Sequence, residues 1–560
     1  MALREIVVEG FRGIRSARVS LDQTTVLVGE NDCGKSSLLE ALALILSPFG
    51  ERLPQVEPWQ FHRARRDGGA APVGPVRIQV TLGETRAGSW NRPELEAIAP
   101  LLVRKGVGPR TLIVELTADP SAGDGPVGAR WEIRGPGGQR SRDDPGALDA
   151  VRRMNPLVWL RGGALVRPVV PSAAGEAEAG RPKDGLPDAA LVLRSYERLL
   201  SGETASPEGE IESGYAAAER LLAEWAPVAR ERRPGTRAAV AEILGRGLEP
   251  KAAGRPSGAP LPGTTAQKLG VLLLTAGLFQ HLRGAAPGVR PIIVIEEPEA
   301  GLHPMTLASV WGLLERLSSQ KLVTTNSGTF LSVAPLRSVR RLVRDADGVV
   351  SEWRVREGAL KKDDLRKVSY HLRARRGAAC FARCWLLVEG ETEYWILPDL
   401  ARLLGHDLVQ EGVACVEFAQ CGLSPLVKLA RALGIEWHVL VDGDRAGDAY
   451  SGFARSFLRG EEESARLSAL EDRDIEHCFW RHGHARVFER LAGLAARPGG
   501  ASPRRVIEKA TLRHSKPGVA FELLASVADA GPGGAPPPLV RTIEACVALA
   551  RGPAPRGGGR

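Results

Sequence analysis

Short apolar stretches separated by turn residues dominate the first third of the chain. Ile6 to Val8 and Thr25 to Val28 have the β-branched, apolar character of strands, and a glycine-containing loop then leads into a helical pattern from about Lys35 to Leu46. Val76 to Leu82, Leu112 to Leu116 and Trp131 to Ile133 predict further strands, punctuated by Gly, Pro and Asp. Around 167–187 the composition shifts to Pro, Ala, Glu and Gly, and helical patterns follow. In one of these, Leu221, Leu222, Trp225 and Val228 form an apolar stripe, open to two readings: ordinary helix packing or a dimerisation insert. A second Pro/Gly-rich stretch, Lys251 to Gly263, marks 167–260 as an insertion. Helical character returns near Ala266, strands end at Glu296 and near Thr324, and a second α/β pattern starts at Cys384. The expected organisation is 1–375 as one α/β domain with that insertion, 376–530 as a second with C-terminal helices, and 531–560 as a Gly/Pro-rich, partly disordered tail.

A length of 560 residues exceeds what one core supports. No apolar run approaches the roughly 20 residues needed to cross a bilayer, and the start lacks a signal-peptide pattern, so the expected location is the cytoplasm. Seven cysteines are too few and too irregularly spaced for a disulfide framework or a zinc ribbon; Cys380, Cys384, Cys415 and Cys421 read as small buried hydrophobes. The net charge of +9 permits a polyanionic partner without requiring one.

Gly29-Glu30-Asn31-Asp32-Cys33-Gly34-Lys35-Ser36, followed by Ser37, fits G-x-x-x-x-G-K-S between a predicted strand and a predicted helix. Glycines there let backbone N–H groups turn onto the phosphates of ATP, Lys35 neutralises them and Ser36 ligates magnesium. The apolar strand Ile292 to Ile295 then delivers Glu296 and Glu297, one to help hold the metal and the other to polarise the attacking water. Two such charges about 4 Å apart repel by roughly 4 kcal/mol at an effective dielectric near 20, so the pair calls for a cation.

Roughly 260 residues separate Ser36 from Glu296. With Gly10-Phe11-Arg12-Gly13-Ile14 and Glu296-Glu297-Pro298-Glu299-Ala300-Gly301-Leu302-His303-Pro304, the chain resembles the ABC-type ATPase heads of SMC-like, RecF-like and OLD-family proteins. The resemblance implies a homodimer that sandwiches two ATP molecules and places Arg12 beside the nucleotide. Gly263 and Gln267 stand at the place of the signature motif but keep little of it. Asn326 replaces the histidine usual in these heads, which implies slow hydrolysis, since an amide carries no proton. For the glutamine loop, Gln60 is a candidate beside a solvated surface reading.

The second chemical signal is Leu386-Leu387-Val388-Glu389-Gly390-Glu391-Thr392-Glu393, a strand ending in Glu389 with Glu393 at the following helix start. His438 to Val441 is another apolar strand, ending in Asp442 and Asp444, whose side chains share a face. Acids at the carboxyl ends of parallel strands suit hard, oxygen-seeking ions, here magnesium or manganese. The pattern resembles the TOPRIM domain, and an ABC-type head followed by TOPRIM resembles the OLD family of ATP-dependent endonucleases over nearly all of 1–525. That resemblance adds Glu476 as a metal-binding acid and Lys516 as the lysine of the cleavage site. It implies DNA as partner and phosphodiester hydrolysis with two divalent ions, in defence against invading DNA or in repair. A DNA-binding ATPase clamp with a vestigial TOPRIM is the alternative. No strand-passage domain or template-binding zinc ribbon accompanies the motifs, which disfavours topoisomerase and primase. Arg373, Arg375 and Arg376 are either phosphate contacts or a solvated charged face.

Overall fold

The computed structural model describes residues 1–46, 55–66, 69–72, 74–85, 87–91, 93–103, 109–120, 125–155, 157–161, 292–299, 307, 311, 314–315, 319–372, 377–494 and 502–553. The apolar stripe of Leu221 to Val228, the insertion, Gly263, Gln267, His303 and Arg373, Arg375 and Arg376 lie outside these residues. The chain divides into two compact units, Met1–Leu27 with Asn31–Asn326 and Ala346–Val350, and Val28–Glu30 with Ser327–Asp345 and Ser351–Arg560.

In the first unit the described elements run β1 (Ala2–Phe11), β2 (Ile14–Ser20), β3 (Thr24–Val28), α1 (Lys35–Leu46), β4 (Val76–Gly83), β5 (Thr111–Ala118), β6 (Arg130–Arg134), β7 (Arg140–Arg142), α2 (Pro145–Met154), β8 (Leu157–Arg161), β9 (Ile292–Glu296) and β10 (Gln320–Thr324). The antiparallel order is β7-β6-β5-β4-β1-β2. Val76, Ile78, Val80 and Leu82 of β4 and Leu112, Val114, Leu116 and Ala118 of β5 are buried while Arg77, Gln79 and Thr81 and the alternate neighbours on β5 are not, the signature of a sheet covered on one face. The parallel order is β3-β10-β9-β8. Here Ile292–Ile295 is an unbroken buried run, as a strand covered on both faces requires. Gln320, buried at the start of β10, is satisfied by backbone: its amide oxygen accepts from Leu3 N–H and its nitrogen donates to the carbonyls of Leu3 and Asp22.

The second unit contains β11 (Cys384–Val388), α3 (Glu391–Leu403), β12 (Val413–Glu417), α4 (Leu423–Ala432), β13 (Glu436–Val441), α5 (Arg445–Ser456), β14 (Leu467–Ala469), α6 (Ile475–Phe479), α7 (Ala485–Leu491), α8 (Pro503–Arg513), α9 (Lys516–Ala530) and α10 (Pro537–Arg551). Its four-stranded sheet is parallel throughout, in the order β12-β11-β13-β14. Leu386 and Val388 pack with Ile396, Leu397 and Leu400 of α3 and with Leu523 and Val527 of α9. All seven cysteines are free and six are buried, in keeping with their reading as small hydrophobes.

Two features differ from the sequence expectation. Pro537–Arg551, assigned to the Gly/Pro-rich tail, is a helix with Leu539, Ile543, Cys546, Val547 and Ala550 inside the core. The prolines before it occupy its first turn, where a missing N–H costs nothing, so they start a helix rather than prevent one. The compact division also departs from a boundary at 375/376. Arg341, buried, donates to the carbonyls of Ala382, Leu433 and Gly434, and Lys428 pairs with Asp364 at 3.4 Å, so segments before 376 are built into the second unit.

Candidate functional site

Each unit ends apolar strands in carboxylates, and their surroundings differ. In the first unit, β3 enters the glycine loop, where Gly29 and Gly34 take φ of 148° and 100°. A Cβ at Gly34 would lie 3.0 Å from Ile14 Cγ1, so both conformation and space require glycine. Helix α1 starts at Lys35, so the loop leads straight into the positive end of the helix dipole. Lys35 is buried, and the exposed Ser36 donates its hydroxyl to Glu296 Oε1, joining the two halves of the motif.

Glu297 adopts φ 48°, a left-handed conformation that costs a non-glycine residue about 1–3 kcal/mol. Its N–H donates to Thr324 O at 3.0 Å and Thr324 Oγ1 at 3.3 Å, which holds that conformation. Asn326 donates Nδ2 to Glu297 Oε1 at 2.9 Å and its own N–H to Glu299 Oε1 at 2.7 Å. The amide at 326 therefore meets the carboxylate at 297. Arg12 also takes a left-handed φ of 52°, pairs with Glu40 at 2.5 Å and lies 5.1 Å from the centre of the Trp59 ring. Gln60 is buried rather than a solvated surface position, and its side-chain oxygen caps a short helix by accepting from Glu57 N–H at 2.9 Å.

In the second unit the order β12-β11-β13-β14 reverses direction between β11 and β13, the place where open α/β sheets bind ligands. Glu389 follows β11 and Asp442 follows β13, on adjacent strands. Asp444 caps α5 by accepting from Gly447 N–H at 2.9 Å. Gly443 is fixed by proximity: its N–H donates to Asp472 O at 2.9 Å, and a Cβ would sit 2.4 Å from that oxygen. Glu393 reaches back to accept from Gly390 N–H at 3.2 Å, and Thr392 donates to Glu476 Oε1 at 3.0 Å.

Electrostatics ties these residues into one cluster. Burial, then the charges of Glu393, Glu389, Asp474 and Glu476, pushes Asp442 up to about 9. Burial chiefly, with Glu476 adding to it and Lys516 opposing it, pushes Glu393 up to about 7. Glu389 is raised by burial and Asp444, and Glu476 by burial and Asp474. Lys516, exposed at the start of α9, is the cation whose field favours ionised Glu393 and Glu476. Glu389 Oε2 is buried and has no hydrogen-bond partner. Among the described residues no three of these acids bring ligand oxygens within 4.8 Å of one another, an open arrangement expected of like charges without a counterion. All-oxygen donors, an orphaned carboxylate oxygen and mutual repulsion fit a hard divalent cation.

The expected site residues in the described part fall into two groups, apart from Arg12, which meets Glu40, Trp59 and Gln60, and Gln60 itself. Gly29, Asn31, Gly34, Lys35, Ser36, Ser37, Glu296, Glu297 and Asn326 belong to or follow the glycine loop and the β9 and β10 strand ends; Glu389, Glu393, Asp442, Asp444, Glu476 and Lys516 make up the acidic cluster. Sequence reasoning passed over Asp474, which caps α6 and adds to the field on Asp442, and Thr392, which orients Glu476. Asp474 begins a D-x-E pair before a short helix, a signal that was present but weak.

The profile described as "Protein of unknown function (DUF2813)" matches residues 1–124 and 192–379, more than half of the chain. The chain belongs to the DUF2813 family. The profile "Overcoming lysogenization defect protein-like, TOPRIM domain" matches residues 380–444, the segment of the second unit that carries β11, β12 and β13 and ends at Asp444. Over 99% of this DUF2813 chain and 100% of its relative, it is 35% identical to "Uncharacterized protein YbjD" of Escherichia coli strain K12. It is 29% identical to "Old nuclease" of Escherichia phage P2 over 27% of this chain and 28% of that one. Among solved structures, an SMC head bound to the C-terminal winged-helix domain of ScpA aligns over 64% of this chain and 98% of that one, at 14% identity and a TM-score of 0.37. The chain is also 29% identical to "OLD nuclease" of Thermus scotoductus strain SA-01 over 34% of this chain and 38% of that one. No helix among the described residues is long and apolar enough to cross a membrane.

Proposed function

We propose that this chain is an ATP-dependent endonuclease that hydrolyses DNA phosphodiesters in its TOPRIM domain, under the control of an ABC-type ATPase head that works as a homodimer. The observation that carries this reading is the acidic cluster at the ends of β11 and β13, where Asp442 is pushed up to about 9 and Glu389 Oε2 lies buried without a partner. Such a cluster is costly to maintain for structure alone and becomes favourable when it holds cations.

Glu389, Glu393, Asp442, Asp444 and Glu476 would hold magnesium or manganese, which supplies Lewis-acid charge when bound. Glu393, pushed up to about 7 by burial, exchanges its proton near neutrality, which makes ion capture pH-dependent. Lys516 offsets negative charge that develops on the phosphate. At the nucleotide site, Lys35 and the loop N–H groups of Gly29, Asn31 and Gly34 receive the phosphates of ATP, Ser37 and Arg12 flank them, and Ser36 and Glu296 hold the accompanying ion. Glu297 polarises the attacking water, and Asn326 fixes the Glu297 carboxylate through the 2.9 Å hydrogen bond without supplying a proton. For Gly263 and Gln267, which lie outside the described residues, the resemblance to ABC-type heads alone supports a role at the partner protomer's nucleotide. The proposal extends to action in the cytoplasm, in defence against invading DNA or in repair.

Purified protein incubated with supercoiled plasmid and magnesium or manganese, with and without ATP, tests the proposal. The expected outcome is nicking or linearisation that Asp442→Ala abolishes and Lys35→Ala renders insensitive to ATP. Undiminished cutting by Asp442→Ala would place the nuclease elsewhere, and no cutting by wild type that still binds ATP would favour a clamp with a vestigial TOPRIM.

A further inference from the structure

Behind the acidic cluster, three residues of different chemistry converge. Asp472, Cys478 and His482 each offer a ligand atom, and these atoms all lie within 4.8 Å of one another. Among the described residues no other group of three histidine, cysteine, aspartate or glutamate side chains is so placed. Cys478 is buried; Asp472 and His482 are partly so. Cys478 Sγ lies 3.8 Å from His482 Nδ1, close to the roughly 3.5 Å that separates sulfur and nitrogen on a tetrahedral zinc ion with ordinary bond lengths.

The backbone provides for the convergence. Cys478 belongs to α6, and the helix breaks at His482 (φ −95°, ψ 26°) and Gly483 (φ 104°) before α7 begins, so His482 lies where the chain kinks. Asp472 approaches from the loop after β14, with its carbonyl already bound by Gly443 N–H.

We infer that Asp472, Cys478 and His482 form a site for a thiophilic divalent cation, zinc by chemistry, distinct from the hard-ion cluster of the TOPRIM domain. The three ligands are the mixed carboxylate, thiolate and imidazole set that zinc accepts, with a water as fourth ligand on the partly exposed side. Without the ion, His482 Nδ1–H donates to Cys478 O at 2.8 Å, the thiol hydrogen-bonds the Asp472 carboxylate, and Arg481 lies 3.5 Å from Asp472 and 3.0 Å from Glu471. Binding replaces the His482 and Cys478 hydrogen bonds with bonds to the ion, with the imidazole proton moving from Nδ1 to Nε2 and the thiol proton released to solvent. The consequence reaches the acidic cluster, because Asp474 and Glu476 lie on the segment between Asp472 and Cys478. A bound ion staples that segment and holds both acids against Asp442.

The test uses the full chain stripped with chelator and titrated with cobalt(II), which reports thiolate ligation by a near-ultraviolet charge-transfer band and tetrahedral geometry by intense visible absorption. Wild type is expected to develop both, zinc to erase them, and excess magnesium to leave them unchanged. Cys478→Ser is expected to lose the charge-transfer band, and Asp472→Asn and His482→Gln to weaken cobalt binding, while Asp442→Asn retains the band. The inference is overturned if wild type shows no thiolate band, or if Cys478→Ser keeps it, since the other six cysteines would then supply the sulfur. Should Cys478→Ser fail to fold, His482→Gln decides: cobalt affinity equal to wild type overturns the site.

Discussion

At the end of β9, Glu296 receives the Ser36 hydroxyl and Glu297 the Asn326 amide, so the protein's own polar groups meet both carboxylates. At the ends of β11 and β13, Asp442 is surrounded by Glu389, Glu393, Asp474 and Glu476, and a buried oxygen of Glu389 has no partner. The first strand end is a preorganised geometry that stands without its ligand; the second is an electrostatic deficit that a cation would cancel. Buried charge without compensation is expensive, so the second arrangement is retained against stability and the first largely is not.

The comparison can be broken at its most loaded residue. Asp442→Asn is expected to reduce metal-dependent DNA cleavage by roughly 10³-fold or more, as loss of a preorganised charge does, read from initial nicking rates. It is also expected to raise the thermal stability of the metal-free protein at neutral pH, because Asp442 must take up a proton on folding and an amide need not. Next in size, Glu297→Gln is expected to lower ATP hydrolysis by roughly 10²–10⁴-fold while leaving ATP affinity near that of wild type, measured by phosphate release and by nucleotide titration. Equal losses of hydrolysis and binding would make Glu297 a structural residue.

Ion binding provides the third effect. Manganese at about 100 times its dissociation constant is expected to stabilise the wild type by roughly 2.7 kcal/mol, and Asp442→Asn to lose most of that gain in thermal melts. The pH dependence carries a definite sign. In the metal-free protein Asp442 keeps its proton up to about 9, whereas an unfolded aspartate releases it near 4. The folded state binds more protons across that window, so metal-free stability falls as pH rises through it, and the gain from manganese grows. His438 has the opposite slope. Buried within β13, with its ring nitrogens facing Ala465 O and Ser468 Oγ, it is lowered by burial to about 4. An unfolded histidine protonates near 6.5, so this stability is present above that pH and is lost as pH falls toward 4, by about 3 kcal/mol. His438→Gln is expected to flatten the acid limb of a pH–stability profile and leave the alkaline limb in place. Smallest is Asn326→Ala, which removes one hydrogen bond from Glu297 and is expected to cost ATP hydrolysis about 1 kcal/mol, near fivefold.

The sequence made the strand ends easy to read because both sites obey short-range rules. A glycine loop before a helix and an apolar strand before acids are contiguous patterns, and α1 occupies the expected Lys35–Leu46. Contacts closed by the fold were not legible. The Ser36 to Glu296 bond joins residues 260 positions apart, and Asn326 meets Glu297 only because β9 and β10 run parallel in register. Asp474 became visible through its effect on Asp442, and Asp472, Cys478 and His482 are spaced unlike any zinc ribbon. The helix Pro537–Arg551 was hidden by its own composition, since the prolines that announce a loop also begin a helix. The TOPRIM profile match between 380 and 444 follows the contiguous signal, while the compact unit includes residues that only tertiary contacts recruit, such as Arg341.

The most direct test of the central claim, that the acids of the TOPRIM domain are an ion site, is calorimetric titration of manganese into the nucleotide-free full chain, with Asp442→Asn and Lys35→Ala in parallel. The expected result is saturable binding by wild type and Lys35→Ala that Asp442→Asn abolishes, with affinity rising and proton release falling as pH rises through 7 and toward 9. Binding unchanged in Asp442→Asn, or absent from wild type at millimolar manganese, would contradict it.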